Sequence, residues 1–221
     1  MLGDVPVYTL GNYRTNTRVT NNYGPNKIVN SFYAFANLGY MNRLYLDLTA
    51  RNDWSSALPS NNNSYFYPSA SLSALVTEFF ELPKVISFWK VRGSFAMVGN
   101  DTDAGQLQPD YSFTEGSGGV AGIEEGGIKR EYNLKPELAS SFEIGTDIRF
   151  FNNRLNLDVN YYKTTTRNQI WNVAVSEISG YSSAMKSAGK VSSHGLEVSL
   201  QTTPVMTKNF TWSTTVNWSF D

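Results

Sequence analysis

Asn133-Leu-Lys-Pro-Glu-Leu-Ala-Ser-Ser-Phe-Glu-Ile-Gly-Thr-Asp-Ile-Arg-Phe-Phe-Asn-Asn-Arg-Leu-Asn-Leu-Asp-Val-Asn-Tyr-Tyr-Lys163 decides the fold. Phe142, Ile144, Thr146, Ile148 and Phe150 alternate with Ser141, Glu143, Gly145, Asp147 and Arg149. A period of two puts one set on an apolar strand face and the other on a polar one. After Asn152-Asn153 the alternation resumes, with Leu155, Leu157, Val159 and Tyr161 against Arg154, Asn156, Asp158 and Asn160. Two such runs around an Asn-Asn turn predict a β-hairpin in which Phe150 pairs with Leu155, Ile148 with Leu157, Thr146 with Val159 and Ile144 with Tyr161. The apolar face is about nine residues tall, close to the 9–11 residues of a tilted strand that crosses a bilayer.

The same pattern extends to both sides. Phe32 to Tyr40, a tight turn at Met41-Asn42 and Leu44 to Ala50 predict one hairpin, although Tyr33 and Phe35 blur its polar face. Tyr65 to Thr77 and Phe88 to Val98 predict two more strands, and Gly189 to Gln201 and Phe210 to Phe220 the last two. Residues 1–30 are the least legible: a weak strand over Leu2–Leu10, then an Asn- and Thr-rich loop over Asn12–Lys27. About eight antiparallel strands result. The connections predicted at 41–42, 78–86, 151–153 and 202–208 are short, and those at 53–64, 99–138 and 164–187 are longer, the last with a candidate short strand at Ile170–Val175. Such alternation fits a transmembrane barrel, with short periplasmic turns and long extracellular loops. Leu46, Leu72, Val91, Ile148, Leu157, Leu196, Val198, Leu200 and Val216 are expected to face lipid.

Asn133-Leu-Lys-Pro-Glu137, Glu143-Ile-Gly-Thr-Asp147, Phe150-Phe-Asn-Asn-Arg-Leu155 and Asp158-Val-Asn-Tyr-Tyr162 resemble the barrel of TonB-dependent outer-membrane receptors, and within them the SusC/RagA branch of Bacteroidota. Ala50-Arg-Asn-Asp-Trp-Ser-Ser-Ala-Leu-Pro59, Tyr65-Phe-Tyr-Pro-Ser69, Lys90-Val-Arg-Gly-Ser94 with Gly99-Asn100, and Gly189-Lys-Val-Ser-Ser-His-Gly-Leu-Glu197 match in the same order. The resemblance implies an active transporter in the outer membrane of a Gram-negative cell. It would import a large nutrient, glycan or peptide, with TonB-derived energy and a SusD-like lipoprotein over its outer loops. Barrels of that kind have about 22 strands. The chain is therefore expected to be a piece of the barrel, residues 1–221, without the plug and TonB box that precede the barrel in the family.

Composition narrows the alternatives. The 221 residues carry a net charge of −1, so nothing supports binding to nucleic acid phosphates. Cysteine is absent and His194 is the one histidine, which leaves no thiolate and few nitrogen ligands for a transition metal. Neither a metal nor a cofactor is expected. Ser, Asp and His form no nucleophile elbow, and His194 falls in register with Leu196 and Val198 on an apolar face, so no catalytic role is expected. The glycines from Gly116 to Gly127 join no strand to a helix, which argues against a phosphate cradle. Asp101, Asp103, Glu124 and Glu125 have no EF-hand spacing and are read as solvated loop acids. Aromatic residues make up 14% of the chain, which suits strands with aromatic girdles.

Two groups remain as candidates. Trp54, Tyr65, Tyr67, Tyr111, Phe113, Tyr132, Trp171 and Tyr181 lie in or beside the predicted loops, where they could meet a sugar ring or a peptide or else form an interfacial girdle. Asp47, Arg51, Lys90, Arg92, Glu143, Asp147, Arg149 and Asp158 fall on the polar faces, where they would line a wet barrel wall. The hairpin register sets Asp147 opposite Asp158, a like-charge pair that diagonal Arg149 could offset. A soluble all-β carbohydrate-binding module would bury its apolar faces in a closed core. A passive porin would lack a plug upstream.

Overall fold

The computed structural model describes residues 26–115 and 121–221. It begins with β1 (Val29–Tyr40), β2 (Leu44–Ser55), β3 (Ser64–Leu75) and β4 (Ile86–Asn100). A separate two-stranded ribbon follows, β5 (Tyr111–Glu115) with β6 (Ala121–Glu125), and then the short β7 (Ile128–Lys129). β8 (Glu137–Phe150), β9 (Leu155–Ala174), β10 (Ser183–Met206) and β11 (Thr211–Phe220) complete the order. The long strands form one antiparallel sheet in the order β1-β2-β3-β4-β8-β9-β10-β11, and β7 adds to β10 in parallel. The expected Leu2–Leu10 strand, and nearly all of the loop after it, lie outside the described residues.

The central hairpin has the expected register: Phe150 faces Leu155, Ile148 faces Leu157, Thr146 faces Val159 and Ile144 faces Tyr161. Its turn is longer than the expected Asn152-Asn153 pair. Phe151, Asn152 and Asn153 all have positive φ, at 53°, 55° and 64°, and the Arg154 amide closes the turn on the Phe150 carbonyl at 3.1 Å. Asparagine tolerates the left-handed region better than most residues, which explains the Asn-Asn pair. At the other hairpin Met41 and Asn42 have φ of 49° and 55°, and the Arg43 amide bonds the Tyr40 carbonyl at 2.9 Å. Positive φ at both central positions matches the right-handed twist of paired strands. Neighbouring turns are stitched together: the Asn152 amide donates to Ser87 Oγ at 2.7 Å, and Arg154 Nη2 to the Pro204 carbonyl at 2.7 Å.

Cross-strand pairing sorts the side chains. Leu38, Leu46 and Leu72 align with Gly93 and Ile144 in one row, continuing through Tyr161 and Leu196 to Phe220. The residues expected to face lipid all fall on this apolar face. No second sheet covers it among the described residues: Leu72 is 50% exposed, Ile144 49% and Val216 57%. A soluble sandwich would bury such a face against a partner sheet about 10 Å away. A membrane barrel leaves it to lipid. The buried residues gather elsewhere, at the loop end, where Leu58, Tyr65, Leu134 and Met185 form a small cluster.

Several expected connections change, and the 202–208 turn narrows to 207–210 because β10 continues to Met206. The 164–187 loop is mostly strand, because β9 continues to Ala174 and β10 starts at Ser183, leaving 175–182 as the connection. The 53–64 loop shortens to 56–63. The turn expected at 78–86 spans 76–85 and opens with a 3₁₀ turn at Val76–Glu78. The connection from β4 to β8 remains by far the longest and holds the β5–β6 ribbon.

Candidate functional site

All eight expected wall residues lie on the polar face. Lys90 pairs with Asp147, which faces Asp158 and then Ser199 and Asn217. One turn of the pleat away, Arg92 faces Gly145, Asn160 and Glu197. Glu143 stands between Ser94 and Tyr162, and Asp47 accepts a 2.6 Å hydrogen bond from Asn37 Nδ2. The Asp147–Asp158 pair forms as expected, but its compensation differs. Arg92 grips both oxygens of Asp158, each at 2.8 Å, while Arg149 donates to Asp147 at 2.9 Å. Arg149 is two residues from Asp147 on the same strand face, so its shortest reach is along the strand rather than diagonally. Arg92 reaches Asp158 because Gly145 lies between their strands. A Cβ on Gly145 would stand 2.9 Å from Arg92 Cζ and 2.7 Å from Asn160 Oδ1. Two ion pairs thus form within the wall, Arg92–Asp158 and Arg149–Asp147, and Arg149 also lies 4.6 Å over the Phe88 ring.

The loop end is knotted by polar side chains. Arg51 Nε donates to Asp53 at 2.8 Å, Tyr67 Oη donates to the same carboxylate at 2.6 Å, and Arg51 Nη2 reaches Ser31 Oγ at 3.0 Å. Tyr65 stacks on Tyr67 with ring centroids 5.9 Å apart. Asp101 then receives Ser55 and Lys27. The segment Asn133–Glu137 passes through this knot. Leu134 is fully buried, the Asn133 side-chain oxygen accepts from Asn61 and Asn62 at 2.9 and 2.8 Å, and the Lys135 amide donates to Ser187 Oγ at 3.0 Å. Glu137 Oε1 accepts the Ile170 amide at 2.7 Å.

The candidate aromatic residues therefore divide. Tyr65, at 7% exposure, is packing rather than a surface platform, and the Tyr67 hydroxyl is committed to Asp53. Trp54 pairs with Asn30 and Ser64, in step with the apolar face. Tyr111, Phe113 and Tyr132 remain open to solvent, as does Trp171 on β9. Tyr111 and Phe113 share one face of the ribbon with Ile123 and Glu125 through the pairings Tyr111–Glu125 and Phe113–Ile123. The Tyr181 hydroxyl donates to Glu125 at 3.1 Å, which holds the 175–182 connection to the ribbon. That bond, with the nearby carboxylate charge, pushes the Tyr181 hydroxyl above its ordinary value. His194 pairs with Lys163 on β9, two residues before Leu196 on the same face. Among the described residues no cluster of acidic, histidine or cysteine side chains could hold a metal ion.

Sequence reasoning missed Leu134, Asn61 and Asn62 as structural groups. The Asn133-Leu-Lys-Pro-Glu137 motif was visible, but only side-chain contacts across distant segments reveal that it ties the 56–63 connection to β9 and β10.

An open antiparallel sheet with one uncovered apolar face, a charged opposite face and a knotted loop end is the form of a section cut from a transmembrane β-barrel. The family model described as "TonB dependent receptor-like, beta-barrel" matches residues 2–221, and the chain belongs to that family. A TonB-dependent receptor of Formosa agariphila is 29% identical over 198 residues, covering 86% of this chain and 19% of the relative. The receptor SusC of Bacteroides thetaiotaomicron is 24% identical over 220 residues, covering 95% and 22%. Among solved structures, the RagAB peptide importer superimposes with a TM-score of 0.79 at 25% identity, over 87% of this chain and 21% of that one. The siderophore receptor PirA of Pseudomonas aeruginosa, at 17% identity and a TM-score of 0.59 over 88% and 34%, shares the fold. The chain spans about a fifth of the length of the curated relatives it matches.

Proposed function

We propose that this chain forms part of the barrel wall of an outer-membrane transporter of the SusC/RagA type, which imports a large nutrient, peptide or glycan, into a Gram-negative cell. The residues 1–221 would all belong to the barrel, with the plug and TonB box supplied by the rest of the protein. TonB would deliver the energy, and a SusD-like lipoprotein would close over the loop end. The similarity of the sheet to the RagAB peptide importer, at both sequence and backbone level, is the observation that carries this reading. The polar face supports it as a wet wall, since acids and bases stand in equal number among the eight expected wall residues and leave little net field to hold a passing solute. On this reading Tyr111, Phe113, Tyr132, Trp171 and Tyr181 are the aromatic groups that would meet a solute or the lid. No step of this reading requires catalysis.

Deleting the full-length gene tests it. Growth on a panel of peptides and glycans should fail for one nutrient class and return with the intact gene, and the protein should fractionate with the outer membrane. Unchanged growth on every member, with the protein outside the membrane fraction, would favour the soluble binding module. Import that persists without TonB would favour a passive porin.

A further inference from the structure

At the loop end a cavity of about 410 Å³ opens between the segment after β7 and the start of β10. Lys129, Arg130 and Lys186 contribute to its lining, together with Glu131, Tyr132 and the buried Met185. Three cations thus meet one carboxylate in the lining. Outside it, Asp110 and Gln106 take the terminal nitrogens of Arg130. Counting Asp110, one positive charge stays in excess. The Arg130 side chain is only 9% exposed, and its Nε is buried with no partner among the described residues. A buried donor without an acceptor is costly and is ordinarily satisfied by something. Tyr132, 71% exposed, places an open ring beside this charge. The paired wall charges lower in the sheet have no such excess and no such orphan donor.

We propose that this cavity is a subsite for a carboxylate group of the imported solute, with Lys129 and Lys186 as the mobile cations, Arg130 as a fixed positive charge behind them and Tyr132 as the ring against which the solute backbone packs. Lysine suits this role as a point charge on a flexible stem, and the guanidinium, held by Asp110 and Gln106, adds a charge that stays in place. The proposal rests on the transport reading and adds the charge class of the solute. The carboxylate belongs to a uronic sugar or to an acidic peptide, and both present the same chemistry to the cavity.

The intact, detergent-solubilised receptor tests it. Trigalacturonate and triglutamate serve as acidic probes, and galactotriose and triglycine amide as neutral ones, all at equal ionic strength. Acetylation of Lys129 and Lys186, read residue by residue by mass spectrometry, should fall with one or both acidic probes and stay constant with the neutral ones. Calorimetric affinity for the protecting probe should drop about tenfold in Lys129→Gln/Lys186→Gln, a surface change that leaves the knot untouched. Arg130→Gln should weaken binding too. Protection by trigalacturonate alone assigns the carboxylate to a sugar, and protection by triglutamate alone to a peptide. Equal labelling with acidic and neutral probes, or an affinity indifferent to the lysine substitutions, would overturn the proposal. Cellular uptake, measured separately, keeps the two readings apart. A receptor that imports its nutrient but shows no acid-specific protection loses the subsite and keeps the transport function. One that shows protection but imports nothing loses the transport function and keeps the subsite.

Discussion

From Leu44 to Ala50, β2 sets leucine and alanine on one face against Tyr45, Asp47 and Thr49 on the other, and every neighbouring strand repeats the division in register. From Asp53 to Leu58 the same strand runs into a region where Asp53, Ser55, Ala57 and Leu58 are all buried and the partners are a tyrosine, an aspartate and segments far away in sequence. The belt is built by repetition, with many weak, interchangeable contacts spread over an uncovered face. The loop end is built by a few side chains that each reach across long sequence separations. Damage should therefore be diluted in the belt and concentrated at the knot.

Leu134→Ala should produce the largest effect. The side chain is fully buried among Leu58, Tyr65 and Met185, and removing it leaves a cavity worth about 2–5 kcal/mol in a packed core. The loss should be local. Limited proteolysis of the intact receptor should cut within 101–136 while the barrel stays folded, as read by heat-shifted gel mobility. A variant as resistant as the parent would show that the knot is not what holds this segment.

Gly145→Ala comes next and probes the belt at a tight crossing. A methyl there must displace the ends of Arg92 and Asn160, an overpacking cost of about 1–3 kcal/mol. Because those atoms are the flexible ends of side chains, the cost should act by breaking the Arg92–Asp158 fork. The penalty in urea unfolding of the refolded receptor should shrink when Arg92→Met is already present. Equal penalties in both backgrounds would mean that the backbone, not the fork, is strained.

Arg92→Lys is smaller again. Both partners keep more than a third of their side-chain surface, at 35% and 39%, so screening limits the pair to about 1 kcal/mol. Lysine keeps the charge opposite Asp158 but loses the two-pronged contact, and Arg92→Met leaves Asp147 and Asp158 facing each other with less compensation. Unfolding midpoints should fall in the order arginine, lysine, methionine. Equal midpoints for all three would make the pair an ornament of the wall.

The belt was legible in the sequence because one face meets lipid and the other water, and a period of two records that difference residue by residue. The upper parts of β9 and β10 were hidden for the same reason in reverse. Thr164-Thr-Thr-Arg-Asn-Gln169 and Ser183-Ala-Met-Lys-Ser-Ala-Gly189 rise beyond the apolar row, both faces lose their contrast, and no periodicity remains although the strands continue. The wall charges were placed on the right face but not with the right partners: alternation fixes a face, whereas Arg92 meets Asp158 two strands away only because Gly145 leaves the space. Tyr65 was mistaken for a surface aromatic because burial at the loop end depends on Leu58, Leu134 and Met185, which no local pattern connects.

The smallest expected effect lies at the contact between the ribbon and the 175–182 connection, where the Tyr181 hydroxyl donates to Glu125. The bond stabilises the neutral phenol, so the folded value lies above the ordinary 10. A group raised in this way contributes its stabilisation in full below the ordinary tyrosine value, and the contribution disappears as pH climbs through the raised one. Around neutral pH the contact is therefore constant, and on the alkaline side only solution above the ordinary tyrosine value should loosen the connection. Ultraviolet difference titration of the intact receptor against Tyr181→Phe should isolate one phenol that ionises later than a free tyrosine. Glu125→Gln should bring it back toward the ordinary range, because the amide can still accept a hydrogen bond but no longer opposes a phenolate charge. If Glu125→Gln leaves the titration unmoved, the carboxylate does not hold this hydroxyl, and the ribbon is tied to the connection by packing alone.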